Sequence, residues 1–396
     1  MKNAMTVLSK VLMRSVVMVL AALFIQGGTL AIAKKPTVMT EKLTVMTQNL
    51  YVGAEIESLA AAETLQDFLE GAQAALMQVA ANNFPERAAA IAAEIAEKKP
   101  HLVGLQEVYN FTINGFNWEP PFRNYLDDLL DALEAHGAFY EEVATVENLN
   151  IEIDIPGYGT VGVIDRDVIL ARSDVVPTVT VVDPETLCSS DRWSIDGCNY
   201  LVVAIAEDTP VGPIAFKRGF VAVDALIGDL PVRFINTHLE VRDVDPEDPL
   251  SPIIQALQAR ELVLLLSGPF SLASRPVVVV GDINSSPEDE IIYLELDGTT
   301  LEIVPPYMQL QGAGYLDTWK LRPGKPPGFT CCQEENLLNQ ESMLSERIDL
   351  IFVSEFPVNK VKSNVVGNDE ADKTIPSELW PSDHAGVVTR MEFIAP

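Results

Sequence analysis

The chain is short of positive charge. Its 396 residues hold 27 lysines and arginines against 57 acids, a net charge of −30. A protein that grips polyanionic nucleic acid without regard to sequence needs a basic face. No stable nucleic-acid partner is therefore expected, and the acids read as a solvated, soluble surface. Histidine is scarce, with four in all, and cysteine equally so. Cys188 and Cys198 flank the polar loop SSDRWSIDG, and Cys331 and Cys332 are neighbours. Neither spacing suits a zinc site, and no histidine stands near them in sequence. No segment recurs at a period of about 20 to 50 residues, which excludes a solenoid. Nothing reads as a domain linker, and a monomer is expected.

Long hydrophobic runs are missing too, with one exception at the start. Lys2, Lys10 and Arg14 precede an uncharged stretch, residues 15–25, and the small triplet Ala31-Ile32-Ala33 follows. The stretch is short for crossing ~30 Å of hydrocarbon. Residues 1–33 are therefore expected to be a cleaved export signal rather than an anchor, leaving the protein secreted or periplasmic after cleavage near Ala33. Export would place the cysteines where disulfides persist. Cys188 and Cys198 could then close their loop, while Cys331 and Cys332 are left open between a vicinal bond, two thiols or other partners. Residues 34–42 read as a polar spacer and 43–396 as one domain.

Hydrophobic residues make up 48% of the chain, and the apolar runs are short and rich in Val and Ile. DVILAR, GFVAVDALI, VRFIN, PVVVVGD and RIDLIFVS read as strands, and with a few helices they indicate a mixed α/β domain. Strands are predicted over 43–49, 101–108, 167–172, 275–282, 347–354 and 386–394, with a short one over 315–319. A hairpin is predicted over 219–241, turning at Gly228-Asp229. Residues 55–99 suggest two helices broken near 82–85, the first covering an edge of the site. Further helices are predicted over 123–136 and 251–266. Residues 110–122 and 324–340 read as loops.

Polar residues at the ends of these strands carry the chemistry. Asp282 and Asn284 follow VVVV two apart, so in extended chain they share a face. Asn236, His238 and Glu240 alternate in the same way, with Glu240 read as a plain surface acid. Asp383 and His384 are neighbours whose side chains diverge. One suits a metal; the other suits a nucleophilic water, with Asp349 as the carboxylate that orients it. Glu107 and Asn49 end two more apolar strands, where a carboxylate is costly unless exposed or bound. Oxygen ligands of this kind favour Mg²⁺, with Mn²⁺ or Ca²⁺ as substitutes, over zinc.

Taken in order, TQN, LQEV, NTHLE, GDIN, RIDLIF and SDH resemble the endonuclease/exonuclease/phosphatase superfamily, whose pattern is a strand-end Asn, QE, TH, GDxN, a strand Asp and SDH. The resemblance spans roughly residues 43–394. It implies a four-layered α/β sandwich, two packed mixed β-sheets flanked by helices. It also implies roles. Glu107 matches the main metal ligand, and Asn49 and Asp383 complete or support the metal site. Asp282 and Asn284 match the pair that positions nucleophile and phosphate. His384, oriented by Asp349, matches the general base, a task the Asp282 position also claims. His238 matches a second histidine that donates to the phosphate or the leaving oxygen, with Asp165 or Asp167 as its acidic partner. Tyr109 stands where deoxyribonuclease I has Arg, which weakens a DNA-specific reading. The FTCCQ segment fits no well-characterised branch.

The function these readings imply is an exported, metal-dependent phosphoesterase. Its substrate would be a phospholipid head group, a nucleic acid or a sugar phosphate. Tyr51, Tyr109, Phe111, Phe116 and Trp118 would line the approach to the site. A secreted non-specific endonuclease and a non-catalytic binding protein that retains the fold are the alternatives.

Overall fold

The computed structural model describes residues 40–54, 56, 59, 61–114, 123–155, 159–242, 250–271, 274–296, 298–324 and 326–394. The expected export signal, Phe116 and Trp118 lie outside the described residues. Among those described, no helix is long and apolar enough to cross a membrane.

Two eight-stranded sheets form the centre. The first runs β19 (Val358–Val366), β20 (Gly386–Ile394), β1 (Thr40–Asn49), β2 (Leu102–Gln106), β6 (Gly159–Arg172), β3 (Asn110–Asn114) and β4 (Arg123–Asn124), with β5 (Tyr140–Ile155) also paired to β6. The second runs β17 (Tyr315–Asp317), β18 (Asp349–Ser354), β14 (Val277–Asp282), β13 (Leu230–His238), β12 (Gly219–Ile227), β9 (Gly197–Asn199) and β8 (Trp193–Ser194), with β7 (Thr180–Val181) on β12. Two small hairpins, β10 (Ala204–Ala206) with β11 (Ile214–Phe216) and β15 (Ile292–Leu296) with β16 (Thr299–Ile303), stand apart.

Period-two alternation explains the layering. In β14, Val278 and Val280 face the other sheet, where they meet Leu43 and Val45 of β1 and Leu102 of β2. Val277 and Val279 face outward, toward Leu262 and Leu266 of helix α4 (Leu250–Ser267) and Leu310 of α5 (Pro306–Gly312). The outer face of the first sheet carries Met46, Val103 and Leu105 and is covered by α1 (Leu65–Ala81), α2 (Phe84–Lys98) and α3 (Tyr125–Ala135). A strand buried on both faces reads as an unbroken apolar run, as VVVV does. The result is four layers, helix, sheet, sheet, helix, as expected from the resemblance. A short helix α6 (Thr318–Leu321) follows β17.

Two corrections concern elements. The region expected to be a loop at 110–122 begins with strand β3, and β19 was not anticipated. The alternation of β3, NFTIN, is only five residues long and that of β19 is irregular, and the two pair with β6 and β20.

Polar packing between the sheets is tight. Asn236 of β13, fully buried, donates to Leu105 O at 2.9 Å and Val168 O at 3.1 Å in the opposite sheet, and accepts from Gln106 Nε2 at 2.6 Å. Gly104 makes room for it, since a Cβ there would lie 2.6 Å from Asn236 Oδ1 and 2.5 Å from Val280 Cγ2. Replacing Asn236 with alanine would strand three polar groups in an apolar interior. Asn236→Ala is expected to cost about 3 kcal/mol, read as a lower urea midpoint at unchanged slope. An unchanged midpoint would show that these bonds do not hold the sheets together.

Candidate active site

Each sheet contains one parallel pair, β1 with β2 and β13 with β14. Their C-terminal ends fall at the same edge, in register: Asn49 opposite Gln106, and His238 opposite Asp282. The antiparallel neighbours start there, so Asp349 lies opposite Asp282, Arg218 sits just before Gly219, which pairs with His238, and Asp383-His384 just precede β20. Six segments distant in sequence thus meet along one rim, around a cleft of about 670 Å³.

Asn49 joins the two halves. Its amide donates to Glu107 Oε1 at 3.0 Å and to Asp282 Oδ2 at 3.1 Å, while its oxygen accepts from Tyr51 N at 2.9 Å. Glu107 holds its second oxygen 2.8 Å from Val52 N, at a left-handed φ of 56° that turns the chain out of the strand. Asp282 Oδ1 accepts from Asn284 N at 2.9 Å, an Asx turn that presents Asn284 to the cleft. Only glycine fits before it: a Cβ on Gly281 would lie 1.8 Å from Thr237 O.

His238 forms the second wall. Asn284 Nδ2 donates to Leu239 O at 2.9 Å and lies 3.2 Å from His238 Nε2. Asp282 Oδ2 is 3.6 Å from the same nitrogen, and Asp167 Oδ1 is 4.0 Å from Nδ1. Of the two acids expected to partner this ring, Asp167 is the one beside it. Arg218 Nη1 approaches the ring at 3.1 Å, and Nη2 donates to Glu240 Oε1 at 3.4 Å. Burial and then the Arg218 charge keep His238 neutral, its pKa well below the usual histidine range. Glu240 is no surface acid: it is buried, its backbone N–H is held by Gln258, and its charge faces Arg218.

His384 forms the third wall. Its Nδ1 lies 2.8 Å from Asp349 Oδ2, which leaves Nε2 for the cleft. Burial opposes charging the ring, but Asp349, Asp383 and Asp282 outweigh it and hold the pKa well above the ordinary value. Behind this pair runs the segment 330–333. Thr330 Oγ1 accepts from the backbone of Ile348 and Asp349, both at 3.1 Å, and Thr330 O accepts from Ala385 N at 2.7 Å. Gln333 N donates to Asp383 O at 2.9 Å. Cys331 and Cys332 are bonded to each other, as are Cys188 and Cys198, and the former pair lies within 4.8 Å of a His384 ring nitrogen. A histidine far away in sequence is therefore their neighbour in space, although paired cysteines are not thiolate ligands.

The donor set fits a hard divalent cation. Asp282, Asp349 and His384 present ligand atoms within 4.8 Å of one another, and Glu107 and Asp383 face the same cleft, where the Glu107 charge adds to the cost of ionising Asp383. Asp165, Asp167 and Asp349 each keep one buried oxygen with no hydrogen-bond partner. Burial first, and neighbouring carboxylates second, push Asp282 up to about 6. Burial, with Glu107 among the acids nearby, pushes Asp165 and Asp383 up to about 7. Carboxylates that resist ionising beside orphaned oxygens form a site short of positive charge, and oxygen donors suit Mg²⁺ or its relatives.

Among the described residues, the catalytic and metal-ligand candidates read from the sequence lie at or beside this cleft. Asn236 is one step removed, between the sheets, and Tyr109 lines the wall. Arg218 and Glu240 were missed, as was Thr330. An arginine directly before a strand, in a chain so poor in bases, was the available signal for Arg218.

The profile of the Endonuclease/Exonuclease/phosphatase family matches residues 46–384. Similar solved structures include an endonuclease/exonuclease/phosphatase from Beutenbergia cavernae, 18% identical, over 89% of this chain and 72% of that one, with a TM-score of 0.49. The mannosyl-6-phosphatase of Bacteroides thetaiotaomicron is 16% identical, over 88% and 99% of the two chains, with a TM-score of 0.47. Truncated TDP2 of Caenorhabditis elegans is 16% identical, over 88% and 97%, also with a TM-score of 0.47. No curated protein sequence matches this chain.

The protonation pattern yields a stability test. Asp165, Asp167, Asp282, Asp383 and His384 all hold protons more tightly folded than unfolded. The native state then binds more protons than the unfolded chain, so these groups' contribution is full at low pH and is lost as pH rises through their folded values. His238, with its lowered pKa, acts in the opposite sense but is one group against five. In a chelator, the acids' contribution should fall between about pH 4, where they ionise in the unfolded chain, and about pH 7, their upper folded value, and the rise in melting temperature on adding Mg²⁺ should be larger at the higher pH. A Mg²⁺ effect that shrinks with pH would contradict this account of the cleft.

Proposed function

The chain belongs to the Endonuclease/Exonuclease/phosphatase family, and from that premise we propose that it is an exported, divalent-metal-dependent hydrolase of phosphoesters. The observation that carries the reading is the His384–Asp349 contact of 2.8 Å at the floor of a cleft crowded with carboxylates. Export is supported by the composition of residues 1–33 and by the Cys188–Cys198 bond.

Glu107 and Asp383, with Asn49 holding Glu107 in place, would bind the cation. When bound, it supplies positive charge to the phosphate oxygens and to the acids around them. The remaining work falls to side chains. Asp349 fixes the His384 ring through Nδ1, so Nε2 takes a proton from water as the water oxygen attacks phosphorus. Asp282 is the weaker base, because both its oxygens already accept hydrogen bonds, from Asn284 N and Asn49 Nδ2. It orients the water instead. Arg218, the Asn284 amide and His238 line the opposite wall, where they face the phosphate oxygens and the charge that builds there. The bond to the leaving oxygen breaks in line with attack, and that oxygen departs toward the His238 side.

A nuclease is the second reading, supported by the two histidines and opposed by the net charge of −30. A binding protein that keeps only the fold is opposed by the intact set of cleft residues. Purified protein in Mg²⁺ assayed on plasmid, phospholipid and sugar-phosphate substrates separates these. We expect turnover on at least one ester, and none anywhere would favour the binding protein.

His384→Ala should lower kcat about 10²–10⁴-fold and remove the rising limb of the pH–rate profile, since the base works only when neutral and activity climbs as pH passes its pKa. Arg218→Ala should mainly raise KM, by about tenfold or more, through loss of a charge-assisted contact to phosphate. Full activity in His384→Ala would remove that residue from the mechanism.

A further inference from the structure

The cleft does not end at its polar wall. A second cavity of about 80 Å³ lies beside it, between helix α1 and the outer face of the first sheet. Phe68, Ala72 and Leu76 line it from α1, and Ile151 and Ile153 line it from β5. Val52, Ile56 and Tyr109 line both cavities, so the apolar space begins where the polar one stops. Apart from the Tyr109 hydroxyl, every side chain around it is hydrocarbon. Water placed there would lack the two to four polar partners it needs, whereas an apolar guest loses nothing.

The sequence builds this space locally. In β5 the run ENLNIEIDI alternates, putting Leu149, Ile151, Ile153 and Ile155 on one face. Ile151 and Ile153 are only half-buried. The helix above them presents alanine at 72 and 75, where larger residues would fill the gap. Small side chains over large ones leave a slot that shares Val52, Ile56 and Tyr109 with the cleft.

We propose that this slot receives an aliphatic chain carried by the substrate, so that the substrate is an amphiphilic phosphoester. Its phosphate sits among Glu107, Asp282 and His384, and its hydrocarbon lies between α1 and β5. The inference rests on the hydrolase reading and narrows it to a substrate class. It also answers a difficulty of charge, because a chain of net charge −30 draws no phosphate polyanion toward itself. Apolar burial next to the reacting group supplies affinity that long-range electrostatics do not.

The test is a series of p-nitrophenyl alkyl phosphodiesters, ethyl through octyl, assayed with the full chain in Mg²⁺ below the aggregation limit of each ester. We expect kcat/KM to rise with chain length by up to about fourfold per buried methylene, then level off when the slot is full. Ala75→Trp, which fills the slot, should flatten that rise and leave the ethyl ester unaffected. Turnover that is independent of chain length in the wild-type protein overturns the proposal, and so does a rise seen only once the esters aggregate. Both results come from the wild-type protein, so they stand even if the tryptophan variant does not fold. Absence of turnover on every ester would count against the hydrolase reading itself.

Discussion

One side-chain amide holds the two sheets' chemistry together. Asn49 belongs to the first sheet, and it donates at once to Glu107, at the end of the neighbouring strand, and to Asp282, at the end of a strand in the other sheet. Two carboxylates would otherwise repel across this gap. A neutral double donor lets them share a rim without a proton or a cation between them, and it leaves the outward lone pairs free. The remaining rim residues are arranged around that bridge: Asn284 through the turn at Asp282, and Tyr51 and Val52 through the loop that follows Asn49.

The bridge works within a larger imbalance. Buried acids outnumber buried bases here, and the guanidinium groups nearby already have partners: Arg242 of the cleft lining is paired with Asp289, and Arg87 and Arg218 are committed as well. Arg87 is spent on backbone carbonyls of Asn82, Leu50, Tyr51 and Pro381 beneath the cleft. Arg218 sits between His238 and Glu240. Several buried acids converge at this edge, which is the mark of a place organised for positive guests.

Much of this was legible in the sequence because strand ends leave a strong signature. A buried run such as VVVV followed by Gly-Asp-x-Asn announces where a strand stops and a polar residue begins. The order of six such endings carried the fold as well as the cleft. What was illegible depended on contacts between distant segments. Glu240 looks like any exposed acid until Arg218 and Gln258 close over it. The segment 324–340 has no periodicity, so nothing in its composition shows that Thr330 sits behind His384 and Asp349. β3 alternates over only five residues and β19 irregularly, so their pairing with β6 and β20 does not show in a local reading.

The bonds of Thr330 have a mechanical consequence. Its hydroxyl is tied to the start of β18 in one sheet, and its carbonyl is tied to the residue before β20 in the other. The loop is a cross-brace between the two layers at the point where they bear the dyad. Sliding of one layer over the other would have to break it, so shear is closed off as a way for this molecule to adapt to what it binds. Whatever give the cleft possesses must come from its far side, where Phe68, Ala72 and Leu76 of helix α1 rest on hydrocarbon.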